Sequence, residues 1–275
     1  MEPIKVLVNG LPGNMALACA RLFESQPDFV LVPVSLTGPG IPETAVQVGN
    51  VRVSLSPPEH HRADLERVKS AGEPVIVVDY THPSAVNANA RLYLDLSLPF
   101  VMGTTGGDRE ALLREAKASG VPAVIAPNMS REIVGFTAMM EYAADHFPGL
   151  FSGYGLKIRE SHQKGKADTS GTARAMVENF RRMGVDFDPE DIEMVRDPEI
   201  QEKDLGVPPE YLGGHAWHTY TLVSPDTTVL FSFTHNVNGR EVYQRGTLDA
   251  ARFLAGKIRA QEPGRVYDMI DVLKR

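Results

Sequence analysis

The chain has 275 residues, of which 43% are hydrophobic and 23% charged, values typical of a globular protein with a sizeable core. Its formal net charge of −7 argues against nucleic acid or an anionic membrane surface as a partner. A single cysteine excludes an internal disulfide, and the sequence has no run near the roughly 18 apolar residues that span a bilayer.

The first half of the chain alternates short apolar runs with stretches of helical periodicity. The predicted strands are residues 4–8, 29–34, 51–55, 74–79, 100–102 and 121–126. The predicted helices are a stretch ending near residue 24, then 64–71, 85–93 and 109–119. This alternation indicates an α/β fold with a mainly parallel sheet and right-handed crossovers. Because the first strand begins so early, we expect no signal or transit peptide and a cytoplasmic protein.

The second half of the chain has a different rhythm. Helices are predicted at residues 132–146, 171–183 and 248–260, and strands at 155–160, 217–223 and 228–235, before a tail at 266–273. The last two strands alternate apolar and polar residues and are joined by a short turn, which indicates an antiparallel sheet with one covered face. We therefore expect an α+β second part.

A glycine-rich turn follows the first predicted strand, with the sequence Gly10-Leu11-Pro12-Gly13-Asn14-Met15-Ala16. Glycines there let backbone N–H groups approach a pyrophosphate at the positive end of the next helix. A plain strand-to-helix connection is the alternative, but the position in the first βα unit favours a Rossmann-like dinucleotide site. The candidate cofactor contacts are Gly10, Gly13, Asn14 and Met15.

The end of the second predicted strand lacks the acidic residue that would bind the ribose hydroxyls of NAD. Ser35 and Thr37 are found there instead, and their hydroxyls could bind the extra phosphate of NADP, although no arginine lies beside them. An ordinary polar strand end is the alternative. The segment favours NADPH over NADH as the cofactor.

Polar residues and glycines also follow two later strands. Asp79 and Thr81 follow one strand, and Gly103, Thr104 and Thr105 begin a Gly-Thr-Thr-Gly turn after the next. Ligands of open α/β sheets bind beyond the carboxyl ends of the strands, so we expect these residues near the cofactor. The alternatives are a helix cap at Asp79 and an ordinary tight turn at Gly103.

The densest cluster of reactive side chains lies at residues 160–173, between a predicted strand and a predicted helix. His162 suits general acid catalysis because its ordinary pKa is about 6.5. Lys164, Lys166 and the helix start at residues 170–172 could hold a substrate carboxylate. A solvated loop capped by Ser170, with a surface histidine, is the alternative. The spacing of His, Cys, Asp and Glu residues suggests no metal site.

Together these segments resemble 4-hydroxy-tetrahydrodipicolinate reductase, also called dihydrodipicolinate reductase, along nearly the whole chain. The matching segments are residues 8–15, 79–81, 103–106, 126–130, 160–173, 233–246 and 267–273. The resemblance implies NAD(P)H-dependent reduction of a small cyclic dicarboxylate in lysine biosynthesis. It also implies a dinucleotide-binding domain at 1–130 and 241–275, and a substrate-binding and oligomerisation domain at 131–240. A homo-oligomer, dimer or tetramer, is expected.

The resemblance further implies roles for single residues. His162 matches the proton-donating histidine of the family and Lys166 its essential lysine. Thr104, Gly171 and Thr172 match positions that hold the substrate carboxylates, and Gln163 and Ser170 are further candidate substrate contacts. Those implied to line the cofactor are Gly10, Gly13, Met15, Asp79, Thr81, Gly103, Thr105, Ala126 and Asn128.

Two departures from most bacterial members are typical of the plant-type branch of the family. Gln163 replaces a second histidine, and the run at residues 168–172 is one residue shorter.

Two other functions stay open. One is a different NAD(P)-dependent dehydrogenase, such as one acting on a semialdehyde, which the lack of a cysteine near the nicotinamide strands disfavours. The other is a non-catalytic NADPH-sensing protein, against which the His162/Lys166 pair argues.

Overall fold

The computed structural model describes residues 3–72 and 74–274. The chain divides into two compact units, here called the first unit (Met1–Arg131 with Glu241–Arg275) and the second unit (Glu132–Arg240). Among the described residues, no helix is both long enough and apolar enough to cross a membrane.

The first unit is built on a six-stranded sheet in which every neighbouring pair of strands is parallel. Across the sheet the strands are β13 (Val266–Tyr267), β8 (Ala123–Ile125), β7 (Phe100–Met102), β6 (Val75–Asp79), β1 (Ile4–Asn9) and β2 (Phe29–Leu31). The helices are α1 (Asn14–Glu24), α2 (His61–Ser70), α3 (Val86–Asp95), α4 (Arg109–Ser119), α8 (Glu241–Arg259) and α9 (Met269–Leu273). Strands buried on both faces are expected to be apolar along their length, as β6 and β7 are. The predicted Rossmann-like α/β sheet is confirmed.

The prediction of one strand over residues 29–34 is wrong, because the structure has two strands here, β2 and β3 (Val34–Leu36). The chain breaks at Pro33, which cannot donate a hydrogen bond to a neighbouring strand. β3 instead joins β5 (Val51–Ser56) and β4 (Ala45–Val48) in a second sheet of order β3-β5-β4. β3 and β5 are parallel, whereas β4 and β5 are antiparallel.

The second unit contains a four-stranded sheet of order β10-β9-β11-β12. The strands are β9 (Gly155–His162), β10 (Glu193–Val195), β11 (His215–Val223) and β12 (Leu230–Asn238), and the helices are α5 (Arg131–His146), α6 (Gly171–Arg182) and α7 (Pro198–Lys203). β10 and β9 are parallel, and the other two pairings are antiparallel. A core that includes Ile158, Phe180 and Tyr220 holds α6 against the sheet, and a fully buried side chain of this size contributes about 1.5–3 kcal/mol. The expected largely antiparallel sheet is confirmed.

The last segment of the chain belongs to the first unit. α8 begins at Glu241, about two turns before the predicted start at residue 248. β13 pairs with β8 in the parallel sheet. α9 begins with a capping box, in which Asp268 and Asp271 each accept a hydrogen bond from the other's backbone amide. The tail therefore adds an edge strand to the six-stranded parallel sheet, and a short capped helix to the first unit.

Candidate functional site

The glycine-rich turn of the first unit leads from β1 directly into α1. Gly10 has a φ of +104°, and a Cβ atom there would collide with the backbone carbonyl of Tyr80. Gly13 is the N-cap of α1, and the first turn of this fully described helix holds Asn14 and Met15 but no acidic residue. Bare backbone at the positive end of a helix fits a pyrophosphate, which supports a dinucleotide at this turn.

Ser35 and Thr37 lie behind this turn rather than on an open surface. Ser35 is fully buried, and its hydroxyl accepts a hydrogen bond from the Leu11 amide at 3.3 Å. Thr37 is also buried, and its amide donates to the Ser56 carbonyl at 2.9 Å. The expectation that the Ser35 hydroxyl binds a cofactor phosphate therefore differs from the structure, in which that hydroxyl holds the glycine turn in place.

Asp79 is fully buried and connects the loops that follow β6 and β7. Its carboxylate accepts hydrogen bonds from the Thr81 amide at 3.0 Å, the Thr81 hydroxyl at 2.7 Å and the Thr104 hydroxyl at 2.7 Å. Asn89 and Tyr93 also donate to it, at 3.1 and 2.6 Å. Instead of presenting free oxygens to a cofactor, Asp79 orients the two threonines.

A groove of about 310 Å³ opens beside these loops in the first unit, a volume suited to part of a small-molecule ligand. Its lining brings together the predicted residues Met15, Thr81, Gly103, Thr104, Thr105 and Asn128. Gly103 packs so closely against the Tyr80 ring that a Cβ atom would collide with it. Ala126 is buried at the end of β8, where its amide donates to the Met102 carbonyl at 3.4 Å.

The reactive segment predicted at residues 160–173 begins on β9, in the middle of the second unit's sheet. In the pairing with β11, Glu160 is opposite His218 and His162 is opposite Ala216. Glu160 and His162 share one face of β9 because alternate residues of a strand point the same way, and both are buried. The strand itself thus fixes a carboxylate and an imidazole side by side.

Glu160 is a fully buried carboxylate, and each of its oxygens accepts a hydrogen bond. Oε1 accepts from the Arg196 guanidinium at 2.6 Å, and Oε2 accepts from the Ser170 amide at 3.0 Å. Burial alone would raise the pKa of Glu160, but His218, Arg196 and the Ser170 amide outweigh it and lower the pKa to about 2. Glu160 is therefore ionised near neutral pH.

His162 is only 7% exposed, and its Nδ1 lies 3.8 Å from Oε1 of Glu160. Its ring meets that of His218 edge to face, with 5.1 Å between the centroids. Burial, followed by the neighbouring His218, lowers the pKa of His162 to about 3. The imidazole is therefore neutral near pH 7 without a ligand, and an anion bound beside it would raise its pKa again.

Lys166 and the start of α6 lie in the loop that leaves β9. The Lys166 side chain is 21% exposed, and its Nζ donates at 2.9 Å to Asp168, whose side chain is 84% exposed. The Ser170 hydroxyl caps α6 by accepting from the Thr172 amide at 3.2 Å, and Gly171 is exposed. A half-buried ammonium group and a helix N-terminus are two devices that attract a carboxylate.

The two units divide the predicted residues between them. The first unit holds the predicted cofactor residues and Thr104, which was predicted to bind the substrate. The second unit holds His162, Gln163, Lys166, Ser170, Gly171 and Thr172. Gln163 is half-buried, and its backbone carbonyl accepts a hydrogen bond from the Lys166 amide at 3.0 Å.

Three potential metal ligands converge in the second unit, although the sequence spacing suggested no metal site. Glu160, His162 and His218 are buried, and their ligand atoms lie within 4.8 Å of one another. Both oxygens of Glu160 already accept hydrogen bonds, and the positive charge of Arg196 opposes a second cation at the same carboxylate. The group fits a buried charge network better than a metal centre.

Arg196 and His218 belong to this cluster but were not predicted as site residues. Arg196 directly follows β10, whose three residues are too short to show periodicity. His218 offered a better signal, because in the predicted strand at 217–223 it shares the buried face with Tyr220 and Leu222. Its partner Glu160 could be identified only from the strand pairing.

Comparisons with known proteins agree along nearly the whole chain. Family models described as "Dihydrodipicolinate reductase, N-terminus" and "Dihydrodipicolinate reductase, C-terminus" match residues 4–129 and 133–273. A "Probable 4-hydroxy-tetrahydrodipicolinate reductase 2, chloroplastic" of Oryza sativa subsp. japonica is 47% identical, over 98% of this chain and 82% of the relative. "4-hydroxy-tetrahydrodipicolinate reductase 1, chloroplastic" of Arabidopsis thaliana is 45% identical, over 98% and 78%. The Anaeromyxobacter enzyme of this name is 33% identical, over 98% and 97%.

Solved structures show the same fold. A dipicolinate-bound dihydrodipicolinate reductase from Paenisporosarcina sp. TG-14 superposes with a TM-score of 0.66 at 19% identity, covering 97% of each chain. An engineered D-amino acid dehydrogenase bound to NADP+ gives a TM-score of 0.50 at 12% identity, covering 97% of this chain and 93% of the other.

Proposed function

The chain belongs to the dihydrodipicolinate reductase family, and we propose that it reduces 4-hydroxy-tetrahydrodipicolinate to tetrahydrodipicolinate, with NAD(P)H as the electron donor. The substrate loses one water and gains a hydride and a proton, so the donor is oxidised to NAD(P)+. This reaction serves lysine and diaminopimelate biosynthesis.

The observation that carries this proposal lies in the loop between β9 and α6. The Lys166 ammonium, the exposed start of α6 at Gly171 and the neutral imidazole of His162 belong to one short segment. A dicarboxylate needs two or more positive or N–H donor groups, and a reduced conjugated imine needs a proton at carbon. This segment supplies both kinds of group.

We assign separate tasks to the residues of the loop. Lys166 binds a substrate carboxylate and gives up its partner Asp168, because an ion pair with so exposed a carboxylate contributes little stability. The Gly171 and Thr172 region binds carboxylate oxygens through the helix dipole. His162 takes up a proton when the negative substrate arrives and then delivers it to the carbon beside the reduced position.

In the first unit, the glycine turn and the groove would hold the dinucleotide. When bound, this cofactor supplies the hydride that the reaction requires. Gly10 and Gly13 would let backbone N–H groups contact its phosphates, and the groove at Gly103 and Asn128 would take its flat nicotinamide ring. Thr81, oriented by Asp79, would line the same ligand, and Thr104, held by the same carboxylate, keeps its predicted role as a substrate contact.

NADPH is the proposed preferred donor. The segment at residues 35–38 contains no acid to repel the extra phosphate, and Gly38 lies in open space. Because Ser35 is buried, the phosphate would be bound by groups other than its hydroxyl. Measuring the Kd of both NADPH and NADH, each with pyridine-2,6-dicarboxylate present, tests this preference.

A coupled assay tests the reaction itself. A synthase that makes the hydroxylated substrate is mixed with the protein, and the absorbance of NADPH is followed. We expect rapid loss of absorbance that depends on both proteins. Loss of NADPH with a semialdehyde but not with the cyclic substrate would favour another dehydrogenase. Tight NADPH binding without any turnover would favour the sensing protein.

We also propose that the chain forms a homo-oligomer, dimer or tetramer. β12 is an edge strand of the second unit's sheet, and its first two residues, Leu230 and Phe231, have exposed apolar side chains. Sedimentation equilibrium should give a mass at least twice that of one chain, and a monomer would refute the proposal. Cytoplasmic location stays a prediction, since the plant relatives are named chloroplastic.

A further inference from the structure

Arg196 has an unusually complete set of hydrogen bonds. Its Nε donates to the Lys166 carbonyl at 2.8 Å. One terminal nitrogen donates to the carbonyls of Val195 and Glu160, at 3.1 and 3.4 Å. The other donates to the Glu160 carboxylate at 2.6 Å and to the Asp168 carbonyl at 3.3 Å. All five N–H donors of the guanidinium are therefore engaged.

These bonds join β9 and β10 to the loop that carries Lys166. Two of the five acceptors are backbone carbonyls of the loop, at Lys166 and Asp168, and Glu160 holds the loop's far end through the Ser170 amide. Arg196 and Glu160 thus fix the loop at three points between His162 and α6. The loop is otherwise rich in exposed polar residues, with Lys164 and Gly165 open to solvent.

We propose that Arg196, clamped by Glu160, is a positioning residue that holds the 163–170 loop in the shape that binds a dicarboxylate. Arg196 contacts neither substrate nor cofactor in this scheme. It removes conformational freedom from the loop before the ligand arrives, so that less ordering free energy is lost on binding. This inference rests on the proposed function, which names the ligand.

Lysine cannot replace arginine in this role. A lysine at position 196 would keep the positive charge beside Glu160, but its single ammonium group cannot bridge the carboxylate and two loop carbonyls in fixed directions. A residue that served only as a charge partner for Glu160 would tolerate the change. The substitution Arg196→Lys therefore separates positioning from simple charge neutralisation.

Arg159 provides a matched control on the same sheet. It lies on β9 and pairs with Glu193 of β10 through Nε at 2.8 Å, at the same strand pairing, but its bonds do not reach the loop. Arg159→Lys changes the same chemical group without touching the clamp. Both variants keep their charge, which favours folding, and thermal unfolding of each checks this.

Two measurements test the proposal. Trypsin cleavage after Lys164 and Lys166 in the unliganded protein reports loop opening, and calorimetry reports the Kd of pyridine-2,6-dicarboxylate with NADPH present. For Arg196→Lys we expect at least tenfold faster cleavage and at least tenfold weaker dicarboxylate binding. The Kd of NADPH should stay within twofold, and Arg159→Lys should match the wild type in all three.

Cleavage and dicarboxylate binding that are the same in Arg196→Lys and Arg159→Lys would overturn the proposal. If Arg196→Lys does not fold, the double variant Glu160→Gln with Arg196→Gln removes both buried charges and should still show the faster cleavage. A wild-type protein that fails to bind the dicarboxylate would refute the proposed substrate, while the cleavage rates would still decide the role of Arg196.

Discussion

Replacing Lys166 by alanine tests the assignment of the carboxylate site. The Lys166 ammonium is half-buried, and its one side-chain partner in the described structure is the highly exposed carboxylate of Asp168, at 2.9 Å. That exposed pair contributes little to the stability of the fold. The side chain can therefore be removed without a large loss of folding free energy, so a change in activity reports substrate binding and catalysis.

The expected loss follows from the charged hydrogen bond that Lys166→Ala removes. A hydrogen bond between an ammonium group and a carboxylate contributes about 1.5–3 kcal/mol. If the bond forms in the transition state, kcat/KM should fall about 10- to 150-fold. The Kd of NADPH should stay within about twofold, because the glycine turn lies in the other unit.

Lys164→Ala is the matched control in steady-state assays with the coupled synthase. Lys164 lies two residues away in the same loop and has an exposed side chain. It should change kcat/KM by less than about threefold, the level typical of a surface substitution. The assignment of Lys166 is refuted if both lysine variants lose activity equally, or if Lys166→Ala turns over substrate at the wild-type rate.

Three further predictions concern the turn, the cofactor and pH. Gly10→Ala should lower the free energy of unfolding by about 1–2 kcal/mol or more and weaken NADPH binding, because φ at Gly10 is positive and a Cβ atom there would collide with a backbone carbonyl. Denaturant titrations and binding assays measure both effects. The control Gly256→Ala, whose new Cβ would lie in open space, should show neither. Gly38→Asp should weaken NADPH binding several-fold in titrations while NADH binding changes less, and an equal loss for both cofactors would place the extra phosphate elsewhere. Stability should fall as pH drops from about 6.5 toward 4. Burial lowers the pKa of His162 to about 3 and the pKa of His235, which lies on β12, to about 4, both below the ordinary 6.5, so the unfolded chain binds protons first. Each of the two contributes a slope of up to about 1.4 kcal/mol per pH unit. His235→Asn should reduce the measured slope, and a slope unchanged by this variant would contradict the burial argument.

The fold could be predicted where local sequence and tertiary structure agree. β6 and β9 are apolar or alternating runs of ordinary length. Gly10 and Gly13 indicate a tight turn that leads into a helix, and the structure has one there. Prediction failed in two places. At Pro33 the chain passes from one sheet to another, and β10 has only three residues, too few to show a period. Neither feature leaves a periodic pattern in the sequence.

The candidate site could be predicted only in part for a related reason. His162, Lys166 and Ser170 are close in sequence, so the sequence alone shows that they cluster. Arg196 is 36 residues from Glu160, and their contact exists because β10 pairs with β9. Buried hydrogen bonding was equally hidden in the first unit, where Asp79 had the sequence position of a ligand-binding residue but serves to orient two threonines.

Transfer of a labelled hydride tests the central claim most directly. NADPH that carries deuterium at the transferable C4 position is incubated with the protein and freshly generated 4-hydroxy-tetrahydrodipicolinate, and the product is examined by mass spectrometry. We expect the deuterium in the ring of tetrahydrodipicolinate, in proportion to the NADPH consumed, and a greatly reduced rate for Lys166→Ala. A product without label, or consumption of NADPH without any reduced ring, would contradict the assignment of this chain as a reductase of that substrate.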